Sequence, residues 1–525
     1  MSATFARRRA LGALLTVSLL SAACGSTVPV GQGQQAGVAP GTAAPVADDG
    51  LGLDVASGTE AAGAAGSQPG QPGTTGAPGA ARAGGAGAPA GSPAGGSSSA
   101  GQASGQGSQA STAAGGSAPG VTDDTIHLGF YVTENGGAAN EAIGAAGVSQ
   151  GDPREYVRVV VDDLNERGGI AGRTVKPVVF AYDAQSAASD EQQHQEACSY
   201  WTEDNAVFAA AAPAAARDNL RSCMGQRGVP LLGTGLTRED ANGMASFPLY
   251  AEPNTMNLTR IVTNLVPGLD AQDYFEPESA AEPMKLGVVR YDYPTFQRAT
   301  DEALKPALQR HGIEVTQEHA VRVPANSNDL GGVASDINAA ILRFRQEGVN
   351  HVILVELNAT LAFLFMRSAE NQGYRPQYGM HTQNGAQALA ELVPPEQLHN
   401  AVGIGWLPQI DVRDVDVPRS AARDRCLKLM RSEGIQFPDK NAKGVALIYC
   451  DQAQFFKAAA EAGDALTGQG FINGVESLGS RFAPALTIGT RFSRNQHDGA
   501  SVYRHVRFVD GCNCFKYSSG AKRAS

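Results

Sequence analysis

Asp163-Leu164-Asn165-Glu166-Arg167-Gly168-Gly169-Ile170-Ala171-Gly172-Arg173 joins two segments of different hydrophobic period. Ahead of it, Asp152-Pro153 opens a helix running to Glu166, with proline early, where its missing N–H costs little. Tyr156, Val157, Val160, Val161 and Leu164 fall on one helical stripe. Gly168-Gly169 ends that helix, and Val175–Tyr182 reads as a strand. Upstream, Ile126–Val132 is a short apolar strand followed by a glycine-rich loop, so the unit is strand, helix, strand.

The alternation continues on both sides of an irregular stretch, Ala251–Pro283. Ser189–Glu203 and Arg217–Arg227 read as helices, with Val207–Ala212 and Val229–Leu232 as strands. A second run places strands at Lys285–Tyr291, Ile313–Val321, His351–Leu357 and Tyr378–His381. Its helices are Thr295–His311, Asp329–Glu347 and Thr360–Gln372. The carboxyl third adds a helix over Ala446–Ala462 and a hairpin-like ending around Val502–Lys516. Strands alternating with helices over such lengths call for parallel sheets covered on both faces. The predicted fold class is α/β, with two doubly wound, Rossmann-like lobes.

Composition sets where this fold begins. A length of 525 residues allows about three domains. From Ala61 to Gly120, however, every residue except Arg82 is Ala, Gly, Ser, Pro, Gln or Thr. Such a stretch has too few large apolar side chains to offset the entropy of ordering it. Residues 24–120 therefore read as a disordered tether, and the chain beyond Gly120 suffices for one bilobal unit or two ordinary domains. At the amino terminus, Arg7–Arg9 precede an apolar run, Ala10–Leu20, and the small residues Ser21-Ala22-Ala23. The run is shorter than the roughly 20 apolar residues a membrane span needs, so residues 1–23 read as an export signal. Net charge is −11 with no basic block, which excludes a nucleic-acid partner.

Seven cysteines are present. Setting Cys24 aside leaves an even six in an exported chain, which points to disulfides and permits fifteen pairings. The preferred set is Cys198–Cys223 and Cys426–Cys450, each on consecutive predicted helices, with the small ring Cys512–Cys514. No CxxC occurs and no histidine is spaced to complete a zinc cluster, so no metal is expected. The folded part also lacks GxxxxGK[ST], GxGxxG after a strand, HExxH and GxSxG. His381 and His497 are isolated. No catalytic residue and no cofactor are expected, and the chain reads as a non-enzyme.

Four passages, in order, carry a resemblance. Asn165 to Arg173 resembles the "N-x-x-GGI-x-G-R/K" turn of type I periplasmic binding proteins, in the branched-chain amino acid (Leu/Ile/Val) binding group of ABC importers. Gly228-Val229-Pro230-Leu231-Leu232-Gly233-Thr234 is similar to the family's ligand strand. Gln372-Gly373-Tyr374-Arg375-Pro376-Gln377-Tyr378 looks like its lead into a lobe-two strand, and 492–508 like its terminal region. The small residues before Cys24 resemble a bacterial lipobox, with Ser21 where that motif prefers leucine.

The resemblance implies two lobes joined by three crossovers, near Glu252–Thr255, near Gln383 and near Phe492. Lobe one is then 121–255 plus 384–492, and lobe two 256–383 plus 493–525. Ligands of open α/β sheets bind beyond the carboxyl ends of strands. That rule picks out Glu134, Ala212, Ala214 and Thr234 in lobe one and Tyr293, Glu356, His381 and Gln383 in lobe two. Thr234, Ala212 and Ala214 would offer hydroxyl or backbone groups to a carboxylate, Tyr293 a flat wall, and Glu356 or Glu134 a charge for a cationic group. The family's serine-rich turn is replaced by Ala211-Ala212-Pro213-Ala214, and its lobe-two carboxylate by His381-Thr382-Gln383, so the ligand class is open. The implied role is a solute-binding lipoprotein, lipidated at Cys24 on the outer face of the cell membrane and closing on a small polar solute for an ABC permease. The alternative is an envelope regulator or sensor that uses the same fold to bind a protein.

Overall fold

A computed structural model describes residues 118–525 except 143, 146, 213–215, 234, 278–281 and 326–328. The expected export signal, Cys24 and the tether up to residue 117 lie outside the described residues, as do Ala214 and Thr234.

The turn between Asp163 and Arg173 welds its two neighbours together. Asp152 caps the Pro153–Glu166 helix, accepting from the Glu155 N–H at 3.2 Å. At the other end, the Asn165 side-chain amide donates to the Val175 carbonyl (3.0 Å) and accepts from its N–H (2.7 Å). Gly169 has φ +67°, and a Cβ there would lie 1.8 Å from the Arg173 carbonyl oxygen. Only glycine fits. Between these fixtures Ile170 is fully buried and exchanges two backbone hydrogen bonds with Arg173, at 3.0 and 2.9 Å.

Lobe one is a five-stranded parallel sheet in the order β2-β1-β3-β4-β5. The strands are β1 (Thr125–Glu134), β2 (Thr174–Asp183), β3 (Ala209–Ala211), β4 (Leu231–Leu232) and β5 (Tyr250–Ala251). Disulfide Cys198–Cys223 joins the Asp190–Ser199 and Asp218–Gln226 helices on one side. Cys426–Cys450 joins Ala421–Ser432 to Lys440–Ala462, which packs near the Pro153–Glu166 helix. The third disulfide is Cys512–Cys514, so the pairs are those preferred from the sequence.

Lobe two repeats the winding with β6 (Leu286–Tyr291), β7 (Val315–Val321), β8 (His351–Val355), β9 (Gln377–His381) and β10 (Val402–Gly405). Its order is β7-β6-β8-β9-β10, all parallel. β11 (Val502–Val509) then adds antiparallel to β10, and β12 (Cys514–Tyr517) and β13 (Lys522–Arg523) pair antiparallel with β11. In each sheet the chain reverses direction beside its first strand, between β1 and β3 and between β6 and β8. Those two points are where open α/β sheets leave a crevice.

Three crossings join the lobes. The first follows β5, and the Leu258–Asp270 helix it enters runs under the second sheet, where Gln272 donates to the Gly403 carbonyl at 2.9 Å. The third lies beside it: Gly499 N–H donates to the Glu252 carbonyl (2.7 Å), and buried Asp498 pairs with Arg260 at 2.6 Å. The second crossing differs from the sequence expectation. The chain does not return to lobe one at residue 384, because the Ala386–Leu392 helix leads into β10, which extends the second sheet beside β9. Only after Gly405 does it cross back. The two glycines of Val402-Gly403-Ile404-Gly405 thin the strand signal, since glycine disfavours strands in isolation.

Candidate inter-lobe binding site

The loops beyond the carboxyl ends of both sheets meet across the crevice. Tyr293, which precedes the Pro294–Arg298 helix in lobe two, donates its hydroxyl to Asp218 of lobe one at 3.1 Å. Arg298 forks onto Asp240 at 2.6 and 3.0 Å. Arg217 donates to the Pro324 carbonyl (2.9 Å), and the Asp190 N–H to the Ala325 carbonyl (3.2 Å). Thr237 N–H donates to Gln383 Oε1 at 2.6 Å. These contacts hold the lobes together on polar groups.

Behind them is a charge network on lobe one, built on the buried Arg217 and Arg221. Arg217 pairs with Asp190 (3.0 Å) and Glu191 (2.8 Å). Arg221 pairs with Asp218 at 2.6 Å and with Glu239, and its guanidinium lies over the Phe247 ring at 5.0 Å. Burial pushes the Glu239 carboxyl up to about 7, against the pull of Arg221. His194 accepts from the Arg217 N–H at 3.4 Å; burial lowers its imidazole to about 4, so it is neutral near pH 7. Arg238 lies over the face of Tyr293, 5.4 Å from the ring centre, so the two lobes also meet through a cation–π contact. Tyr131, near the end of β1, stacks on Tyr182 at 5.4 Å, and among the described residues its buried hydroxyl has no hydrogen-bond partner.

The residues expected from the sequence separate into three groups. Tyr293 and Gln383 stand in the inter-lobe contact. Gln383 also donates to the Glu356 carbonyl at 3.0 Å, so it ties three loops. Glu356 and His381 do not face the crevice. The fully buried Glu356 carboxylate accepts from the N–H groups of Leu361 and Ala362 and from Asn384, each at 3.0 Å. It caps the Thr360–Asn371 helix rather than meeting a cationic group. His381 is buried under Trp406, its Nε2 3.1 Å from the Leu354 carbonyl, and burial lowers it to about 4. Glu134 is exposed at the end of β1 and pairs with Arg154 at 2.7 Å. The buried Ala212 spends its N–H on the Leu232 carbonyl at 2.7 Å.

Sequence reasoning missed the arginines. Arg217 and Arg221 lie on a helix face, where charge usually means solvent. The stretch Thr237-Arg238-Glu239-Asp240 carried the one usable signal, a charged cluster following a strand's carboxyl end. Among the described residues no group of His, Cys, Asp and Glu could hold a metal ion. Among them, too, no helix is long and apolar enough to cross a membrane.

Residues 125–513 match the periplasmic binding protein family. No curated protein matches the chain. Among solved structures it is similar to a possible leucine/isoleucine/valine-binding protein from Rhodopirellula baltica, at 14% identity and TM-score 0.53, covering 77% of this chain and 96% of that one. It is also similar to the branched-chain amino acid transporter substrate binding protein of Streptococcus pneumoniae in complex with isoleucine, at 13% identity and TM-score 0.53, covering 76% and 99%. A fatty acid ABC transporter substrate-binding protein from Thermomonospora curvata shares 17% identity with TM-score 0.51, covering 78% and 93%. The two wound sheets, their crossings and the family match agree: the chain belongs to the periplasmic binding protein family, as a type I, two-lobed binding protein and not an enzyme.

Proposed function

We propose that this is an extracytoplasmic solute-binding lipoprotein of an ABC importer, closing its lobes on a small polar solute. The observation that carries the reading is the polar contact between the two strand-end loop sets, in a chain whose family match spans both lobes. Loops that bind each other through charged and hydrogen-bonding groups can part into water at modest cost, as a cleft that opens and closes requires. Tyr293 is a wall of that cleft and Gln383 a latch across it. Ala212, Ala214 and Thr234 are the ligand contacts we carry over from the sequence for the lobe-one side. The permease partner reads the closed form, which solute selects by binding it better than the open one.

Cys24 is the proposed lipid anchor. Its acyl chains hold the chain to the outer face of the membrane, and Cys24→Ala is expected to move the protein from the membrane fraction to the soluble one. A Cys24→Ala chain that stays with the membrane contradicts the anchor.

The test of solute binding is thermal melting of the purified protein, without reductant, against amino acids, short amides, polyamines, sugars and aromatic acids. A ligand of the folded state adds about 2.7 kcal/mol at a hundredfold excess over Kd. A raised midpoint with one class supports capture. The second reading, an envelope regulator that binds a protein, draws on the side chains filling the loop contact. It expects a flat response to every solute.

A further inference from the structure

Four arginines stand at the inter-lobe contact, and three are matched by acids. Arg217 has Asp190 and Glu191, Arg221 has Asp218 and Glu239, and Arg298 has Asp240. Arg238 has none: among the described residues no carboxylate lies within ion-pair distance of it. It is 3% exposed, and among the described residues its Nε and Nη1 have no hydrogen-bond acceptor. Its guanidinium lies over the Tyr293 ring of the other lobe. A cation–π contact returns less than the burial of an unpaired guanidinium costs. The chain thus leaves a charged, rigid fork of donors unmet at the point where the lobes close.

We propose that Arg238 is the anion-recognition group of the inter-lobe site, and that the solute presents a single carboxylate to it. The inference rests on the solute-binding reading above and names the solute's class. One charge suffices because the neighbouring arginines already hold their own acids, so a dianion would bring charge with no counterpart. A planar guanidinium also matches a carboxylate with two parallel N–H donors. The same residue then couples binding to closure. Parting the lobes removes Tyr293 and exposes Arg238 to water; closing them without an anion buries a lone charge, and closing them around a carboxylate pairs it.

The experiment compares matched acids and amides on the full chain by calorimetry and thermal melting: leucine and leucinamide, hexanoate and hexanamide, phenylacetate and phenylacetamide. Inorganic phosphate and the neutral and cationic solutes of the broader panel run beside them. At least one acid is expected to bind, with its amide at least tenfold weaker. R238Q should weaken that acid about a hundredfold or more, and R238K less, since lysine keeps the charge but not the fork. Without ligand, R238Q should melt at the wild-type temperature or above it, because it removes an unpaired buried charge; a purely structural arginine would instead lower the midpoint. Equal binding of acid and amide, tighter binding of phosphate, binding of neutral or cationic solutes only, or an unchanged R238Q affinity would each overturn the assignment while leaving solute capture standing. If R238Q does not fold, the acid–amide ratio on the unaltered chain decides. No binding by any solute overturns the solute-binding reading itself, and this inference with it.

Discussion

Gly169 shows how one residue fixes the start of the fold. Its φ of +67° and the 1.8 Å approach that a Cβ would make to the Arg173 carbonyl leave no room for a side chain. Gly169→Ala must therefore pull apart the Ile170–Arg173 backbone pair or distort φ. We expect a loss of about 2–4 kcal/mol in urea unfolding, the range of backbone strain plus a broken turn. A Gly169→Ala chain within about 0.5 kcal/mol of the parent would show that the turn can reshape freely. Arg238 is the contrasting case, a residue whose local environment is unfavourable until something outside the chain is considered. Its neighbour Glu239 differs again, because Arg221 offsets part of its cost inside the chain.

At the scale of elements, several buried carboxyls hold the ends and joints of helices and strands. Glu356 caps the Thr360–Asn371 helix, Asp451 accepts from the Ala485 and Leu486 N–H groups at 2.7 and 2.9 Å, and Asp411 accepts from Thr382 at 2.8 Å and Tyr517 at 2.7 Å. Burial pushes Glu239, Glu356, Asp411 and Asp451 up to about 7 and Glu252 to about 8. The folded chain then keeps protons that the unfolded chain has already lost, so stability falls as pH rises through these values. His194 and His381, lowered by burial to about 4, act in the opposite sense only below the ordinary histidine value. Lys440, lowered by burial to about 8, opposes the trend only above that value. Between pH 6.5 and 8 the urea midpoint should therefore drop, and Glu356→Gln should flatten part of the slope. A midpoint that rises across this window contradicts the assignment.

The same elements show what the sequence could and could not disclose. Strands such as β1 and β8, and the Pro153–Glu166 helix, were legible because hydrophobic period, caps and glycine stops agree in them. β10 was not, since four residues with two glycines carry almost no period. Glu356 and His381 sit at strand ends, where the crevice rule points, yet their side chains turn inward to serve the fold. Which way a strand-end residue faces depends on its neighbours in space, and no local pattern records that. The arginines escaped for the same reason: apart from Asp218, three residues before Arg221, their acids Asp190, Glu191, Glu239 and Asp240 are brought to them only by the folded chain.

At the scale of the whole molecule, the loops beyond the carboxyl ends of the two wound sheets meet across the crevice, and three crossings join the lobes, the first and third lying side by side at the Glu252–Gly499 pairing. Solute held between the lobes must slow local opening on both sides at once, because each side supplies part of the closed contact. Amide hydrogen exchange, with and without the solute that gives the largest thermal shift, reads this directly. Joint protection is expected of residues 216–240 in lobe one and of residues 291–298 and 381–385 in lobe two. Protection confined to one lobe, or none at all, would contradict capture of a solute by closure.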